Sequence, residues 1–184
     1  MRIVAGTARG RVIESIDGLS TRPTLDRVRE AVFGSLQFRI PGAAFLDLFS
    51  GSGAMGLEAA SRGAGFVLMN DASPACITKI RENAQACGLT GKITLWNLDW
   101  EAALSGCSRC GYRFDIVYLD PPYASGFSPL AAARLFENGL MADDGTVLIE
   151  HPSADPVPEV PCMGIIARRT RKYGKCAVTE YVKE

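Results

Sequence analysis

The sequence predicts an α/β fold built as a doubly wound, mostly parallel sheet, with a C-terminal antiparallel hairpin and a short N-terminal β-hairpin plus helix. Three observations carry this. From residue 43 onward, short continuous apolar runs alternate with helical periodicities, the pattern of parallel strands covered on both faces. Near the end, two extended runs flank Lys172-Tyr173-Gly174-Lys175, which is a hairpin signal. Residues 1–40 stand ahead of the alternation, and no linker rich in proline, glycine or serine sets them apart. One domain over 1–184 is therefore expected, with 1–40 as an extension of a ligand-binding core at 43–184.

Each element has a local reason. Residues 2–4 and 10–13 read as short strands joined at Gly6-Thr7-Ala8. Arg22-Pro23-Thr24 breaks the chain, and Thr24 is expected to cap a helix over 25–38, where Val28, Val32 and Leu36 recur every four residues. Residues 43–49 form the first buried-type strand, and 51–62 a loop leading into a helix. Further strands are expected at 66–69, 93–95, 114–119 and 146–150. Between them lie helices at 74–87, stopped by Gly88, at 100–104, and at 129–138, closed by Gly139. Residues 164–168 and 177–182 are the arms of the terminal hairpin.

Composition narrows the function classes. Hydrophobic residues make up 47% of the 184, enough for a core without disulfides or metal. No run approaches the ~20 apolar residues of a membrane span, and no apolar stretch of signal-peptide type follows Arg2, so a cytoplasmic protein without a membrane partner is expected. The cysteines at 76, 87, 107, 110, 162 and 176 are scattered. Only Cys107 and Cys110 show a suggestive spacing, and with His151 as the single histidine no four-ligand zinc set can be assembled, so no metal is expected. His151 and Met55 read as structural. Twenty basic and twenty acidic residues give no net charge. Yet residues 1–30 hold six arginines against four acids, and 161–184 six basic residues against two. Two basic ends on an acidic body suit a polyanion gripped at one edge. Arg22, Thr24, Arg27, Arg169, Arg171 and Lys172 are the candidate contacts.

The chemistry is concentrated after the predicted strands. Asp47-Leu48-Phe49-Ser50-Gly51-Ser52-Gly53 follows the first strand of the core and opens a helix. Glycines let a ligand approach the backbone, and a helix start offers free N–H groups. An acid at the strand end repels a pyrophosphate but suits an ammonium group. S-adenosylmethionine carries both that ammonium and a carboxylate, and Asp47, Phe49, Gly51 and Gly53 are the expected holders. Asp71, past the second strand, suits ribose hydroxyls. Asp99, past the third, suits an adenine amino group with Leu98 or Trp100 against the ring, or equally a helix cap. Asp120-Pro121-Pro122-Tyr123 ends the fourth strand, facing the same crevice. An exocyclic amine is a poor nucleophile because its lone pair is delocalised into the base. Hydrogen bonds from its N–H groups to the Asp120 carboxylate and the Pro121 carbonyl draw it towards sp³ geometry. Pro121 and Pro122 stiffen the loop, and Tyr123 stacks on the base.

That tetrapeptide behind D-x-F-x-G-x-G resembles the amino-methyltransferases, which act on adenine N6, cytosine N4 or guanine N2. Within that class the chain resembles the bacterial 16S rRNA guanine-N2 methyltransferase family (RsmD type) along nearly its whole length. The stretches that carry this are Arg2-Ile3-Val4-Ala5-Gly6, Arg22-Pro23-Thr24 with Asp26-Arg27-Val28-Arg29-Glu30-Ala31-Val32-Phe33, residues 45–56, Glu58, Ser61-Arg62-Gly63-Ala64, residues 120–123 and Tyr173-Gly174-Lys175. The resemblance implies a Rossmann-like methyltransferase sheet, S-adenosylmethionine as cofactor, and Asp120 with Tyr123 on a target guanine. It places Arg22 and Thr24 beside the cofactor or the RNA. The partner it implies is 16S rRNA; the zero net charge fits its presentation in an assembling small-subunit ribonucleoprotein, and a monomer is expected. Two features depart from the family: Asp71 followed by Ser73 stands where Glu followed two places on by Asp is usual, and the Cys107–Cys110 pair is not a family mark. A DNA adenine-N6 or cytosine-N4 methyltransferase and a non-catalytic RNA-binding assembly factor are the alternatives.

Overall fold

A computed structural model of the chain describes residues 1–15, 23–122 and 126–184, with the side chains of 23–25 left aside. The element order is α1 (Pro23–Ser35), β1 (Ala44–Asp47), α2 (Ala54–Ser61), β2 (Phe66–Asn70), α3 (Pro74–Cys87), β3 (Thr94–Trp96), α4 (Trp100–Arg109), β4 (Phe114–Leu119), α5 (Phe127–Glu137), β5 (Met141–Pro152), β6 (Ile165–Tyr173) and β7 (Cys176–Lys183). Seven strands form one sheet in the order β3-β2-β1-β4-β5-β7-β6. The first five are parallel, and β7 runs antiparallel beside β5 with β6 at the edge. This is the doubly wound, mostly parallel α/β architecture the sequence predicts, the C-terminal hairpin included.

Period-two alternation splits the apolar side chains between two cores. On one face Ile3, Ile13, Val28 and Phe33 from the N-terminal segment pack with Phe45, Val67, Ile80 and Tyr118. On the other, Leu46, Leu68, Val117, Leu119 and Ile149 pack under Leu104 and Leu135. Among the described residues no helix is long and apolar enough to cross a membrane.

Three local expectations change. The N-terminal strands shrink to one antiparallel bridge between Arg2 and Val12, because the backbone between them is drawn to α2 instead. Val4 and Ala5 donate their N–H groups to the Glu58 carboxylate at 2.8 and 3.1 Å, and the N–H of Thr7 goes to the carbonyl of Ser61. A Cβ on Gly6 would lie 1.9 Å from that same Ser61 oxygen, and φ is +84°, so only glycine fits. Thr24 is not a cap: α1 begins at Pro23, whose fixed φ suits a first helical position. Helix α4 runs to Arg109 rather than 104, so Cys107 is buried in its last turn and Cys110 follows, both as free thiols. Burial pushes the Cys107 thiol up to about 12.

Glu58 is the anchor of the N-terminal segment. It is fully buried, accepts the two backbone N–H groups, and pairs with Arg62 at 2.7 Å and Arg29 at 3.6 Å. Removing it leaves Arg29, itself only 2% exposed, with the half-exposed Asp26 as its remaining carboxylate and strips two backbone N–H groups of their acceptor. We expect Glu58→Ala to destabilise the protein by about 3–5 kcal/mol, read as a lower denaturation midpoint. A loss below about 1 kcal/mol would refute the anchoring role.

Candidate active site

The chain leaves β1 in one direction to build β2 and β3, then returns to build β4 and β5 on the other side. Ligands in such sheets bind at this reversal, beyond the carboxyl ends of the strands. Here β1 and β4 are neighbours, with Asp47 opposite Tyr118, so the switch brings Asp47 and Asp120 to one place.

Asp47 is 2% exposed. Its Oδ2 accepts the N–H of Gly56 at 3.0 Å, the third N–H of α2, which leaves the two before it for other acceptors. Burial pushes Asp47 up from 3.8 to about 7; the Gly56 N–H opposes this, the charge of Asp71 adds to it, and Ser50 opposes it. The two glycines of the loop have different local surroundings. Gly53 caps α2 at φ 86°, and a Cβ there would sit 2.9 Å from Met69 Cε and 3.1 Å from Ile80. Packing against β2 and α3 demands this glycine, whatever the ligand. Gly51 is the one that opens onto free space, with nothing within 4 Å of where a Cβ would stand. Phe49, beside the loop, is half-buried.

Asp71 ties the first two loops together. Its Oδ2 accepts the N–H of Gly51 and its Oδ1 that of Ser73, both at 2.9 Å. Each oxygen retains a lone pair for a hydroxyl. Ser73 caps α3 by accepting from the N–H of Cys76. Asp99 fulfils the helix-cap expectation, since its Oδ1 accepts the N–H of Ala102 at 2.9 Å; the side chain is exposed and its other oxygen is open to a ligand. Leu98 beside it is 39% exposed, and Trp100 lies 5.9 Å from the ring of Phe127. Sequence reasoning missed two asparagines. The Asn70 amide donates to the carbonyls of Leu48 and Leu98 and accepts from the N–H of Leu98, which stitches the loops after β1, β2 and β3. Asn83 holds Glu14 by both backbone groups and reaches the carbonyl of Ser52 in the glycine loop.

At the end of β4, Pro121 is buried and Pro122 exposed, while Tyr123 lies outside the described residues. Burial holds the Asp120 carboxyl well above its ordinary range, and the charges of Glu150 and then Asp47 push it further. Glu150, at the end of β5, is 4% exposed and accepts a short hydrogen bond from the Tyr118 hydroxyl. Nothing in the sequence marks Glu150 except its place at a strand end equivalent to that of Asp120. Neither Asp47 nor Asp120 has an ion-pair partner among the described residues. Buried acids without a cation of their own fit a ligand that brings positive charge.

The basic candidates do not all converge. Arg169 and Arg171 line a groove between β6 and the α1 residues Val32, Ser35 and Leu36. Lys172 pairs with Ala177, one residue out of phase with Arg171, so it lies on the other face. Arg27 is exposed on α1. Arg22 and the side chain of Thr24 lie outside the described residues. Arg29, counted among the basic N-terminal residues, is buried in the Glu58 network and is not available to a polyanion.

A carboxyl raised on folding makes the native state bind more protons than the unfolded one, so stability falls as pH rises across that window. Between 3.8 and about 7 the Asp47 contribution is therefore lost. We expect the denaturant midpoint to decline over that range and the decline to be shallower in Asp47→Asn, which keeps an acceptor for Gly56. Equal slopes in both proteins would refute this.

Residues 1–182 match the family described as conserved hypothetical protein 95. Ribosomal RNA small subunit methyltransferase D of Escherichia coli K12 is 33% identical over 184 residues, covering 100% of this chain and 90% of its own length. The protein of the same name from Haemophilus influenzae Rd is 30% identical over 161 residues, covering 85% of this chain and 81% of its own. A hypothetical protein from Thermus thermophilus superposes with a TM-score of 0.85 at 31% identity, covering 100% of this chain and 99% of its own. With its site at the switch of a Rossmann-like sheet, the chain belongs to this family, the RsmD type of S-adenosylmethionine-dependent methyltransferase.

Proposed function

We propose that the chain methylates the exocyclic N2 amino group of a guanine in 16S rRNA, presented in an assembling small-subunit ribonucleoprotein. The observation that carries the reading is the meeting of Asp47, Asp120 and the start of α2 at the β1–β4 switch. Relatives named for the small-subunit RNA support the substrate class. The Arg22-Pro23-Thr24 helix start and the Tyr173-Gly174 hairpin support guanine over the other amines, being the stretches that most set the guanine-N2 type apart. Zero net charge supports a substrate whose binding surface is partly protein.

S-adenosylmethionine supplies a methyl group on a positively charged sulfur. Asp47 receives its ammonium and is drawn into the ionised form by that charge. The Phe49, Gly51 and Gly53 loop, with the first N–H groups of α2, takes its carboxylate. Asp71 accepts from the ribose hydroxyls and the open oxygen of Asp99 from the adenine amine. Asp120 and the carbonyl of Pro121 accept the N–H groups of the target and oppose delocalisation of its lone pair. Pro122 stiffens that loop and Tyr123 stacks on the guanine. Positioning and placed charge supply the rate. Arg22, Thr24, Arg27, Arg169, Arg171 and Lys172 hold the RNA backbone, with Arg169 and Arg171 nearest one another in the α1–β6 groove. The enzyme acts as a monomer in the cytoplasm and uses no metal.

The test is label transfer from radiolabelled S-adenosylmethionine to unmodified small-subunit particles, bare rRNA and duplex DNA. Wild type is expected to label the particles, and Asp120→Ala to lose about 100-fold or more in rate while still binding the donor. Label in DNA instead would replace this reading with the DNA amino-methyltransferase one, and donor binding without transfer would leave a binding factor. Arg169→Ala with Arg171→Ala is expected to raise KM for RNA and to flatten its salt dependence. An unchanged KM would remove the groove from the RNA surface.

A further inference from the structure

The carboxyl ends of β4 and β5 carry a pair of acids for which the methyl-transfer reading uses only one. Parallel pairing runs to Leu119 opposite Ile149. Asp120 directly follows β4 and Glu150 is the next residue of β5, so strands spaced by about 4.8 Å carry the two acids out side by side, near enough for the Glu150 charge to act on Asp120. Alternation from Tyr118 and Leu148 puts both on the face shared with α1. Glu150 is fixed there: it is 4% exposed, and the hydroxyl of Tyr118, itself 2% exposed, donates to its Oε2. Its neighbour His151 turns to the opposite face, where Nε2 meets Thr179 Oγ1 at 2.9 Å. Among the described residues the titratable groups around Asp120 are Glu150 from β5 and Asp47 from β1, with the Tyr118 phenol on β4. The Cys176 thiol on β7 lies towards Tyr118.

A half-buried acid held against a buried one is costly to keep, and a structural sheet end needs neither. Resting on the methyl-transfer reading, we propose that Glu150, clamped by Tyr118, is a positioning residue that makes Asp120 the acceptor of the proton shed by the target amine. As the amine lone pair forms the new N–C bond, the C–S bonding pair returns to sulfur. The surplus proton on nitrogen passes to Asp120. The negative charge of Glu150 beside it favours that arrival, and Asp120 holds the proton until water takes it. Burial and the Glu150 charge both act on Asp120 in this direction.

For Asp120 to accept the proton it must first be ionised, so its proton affinity sets the acidic limb of kcat against pH. Removing the charge of Glu150 lowers that affinity and moves the limb to lower pH. The experiment measures kcat and KM against pH for methyl transfer to unmodified small-subunit particles. It uses wild type, Glu150→Gln and Glu150→Asp, each checked for fold by circular dichroism and for S-adenosylmethionine affinity by titration. Glu150→Gln is expected to keep donor affinity and KM and to shift the limb down by about one pH unit or more. Glu150→Asp, which keeps the charge but withdraws it, shifts the limb the same way by less, and it alone decides should the Gln variant not fold. An unmoved limb, or a drop in kcat that is uniform with pH, overturns the inference while leaving the methyl-transfer reading intact. No transfer by wild type overturns both.

Discussion

Moving a carboxylate out of water disfavours its charged form, and at the carboxyl end of this sheet two such groups, Asp47 and Glu150, are buried with the half-buried Asp120 between them. Asp47 ends β1, Asp120 follows β4 and Glu150 lies near the end of β5. The strand order makes the crowding unavoidable, since β1, β4 and β5 are consecutive in space although separated in sequence. The sheet's own apolar packing supports the arrangement from both faces. What Asp47 and Asp120 lack among the described residues is a cation, which is why the proposed function assigns them a ligand that carries positive charge.

A second set of contacts ties this pocket to the elements proposed to meet RNA. Glu58 and Ser61 on α2 hold the backbone of residues 4–8, and Arg29 links Glu58 to α1. Asn83 on α3 holds Glu14 and Ser52 at once. Helix α1, the glycine loop and the N-terminal segment thus share side-chain partners. Any movement of α1 would therefore reach the glycine loop through these shared partners.

Much of this was legible in the sequence where local chemistry and tertiary need agree. The helix Pro74–Cys87 lies between Ser73 and Gly88, which are a true cap and stop, and the strand Phe114–Leu119 is a largely apolar run. Reading failed where a residue served packing rather than punctuation. Gly106 looks like a helix stop, yet it sits inside α4 because a Cβ there would lie 3.0 Å from the Trp96 ring. Gly145 looks like a turn, yet β5 runs through it past a register shift against β4, where a Cβ would lie 2.9 Å from the carbonyl of Phe114. The acids of the site divide the same way. Asp47, Asp71, Asp99 and Asp120 follow strand ends with motifs around them, whereas Glu150 is visible only once the β4–β5 register sets it beside Asp120. Asn70 and Asn83 were missed because their partners lie in loops that sequence alone cannot bring together.

In the proposed reaction this carboxylate-lined switch presents the N2 amine of a guanine in small-subunit RNA to a methyl donor. Its most direct measurement is mass-spectrometric identification of the modified nucleoside after wild-type enzyme has acted on unmodified small-subunit particles. The account predicts N2-methylguanosine as the new species. N6-methyladenosine or N4-methylcytidine in its place, or methylation confined to DNA, would contradict it.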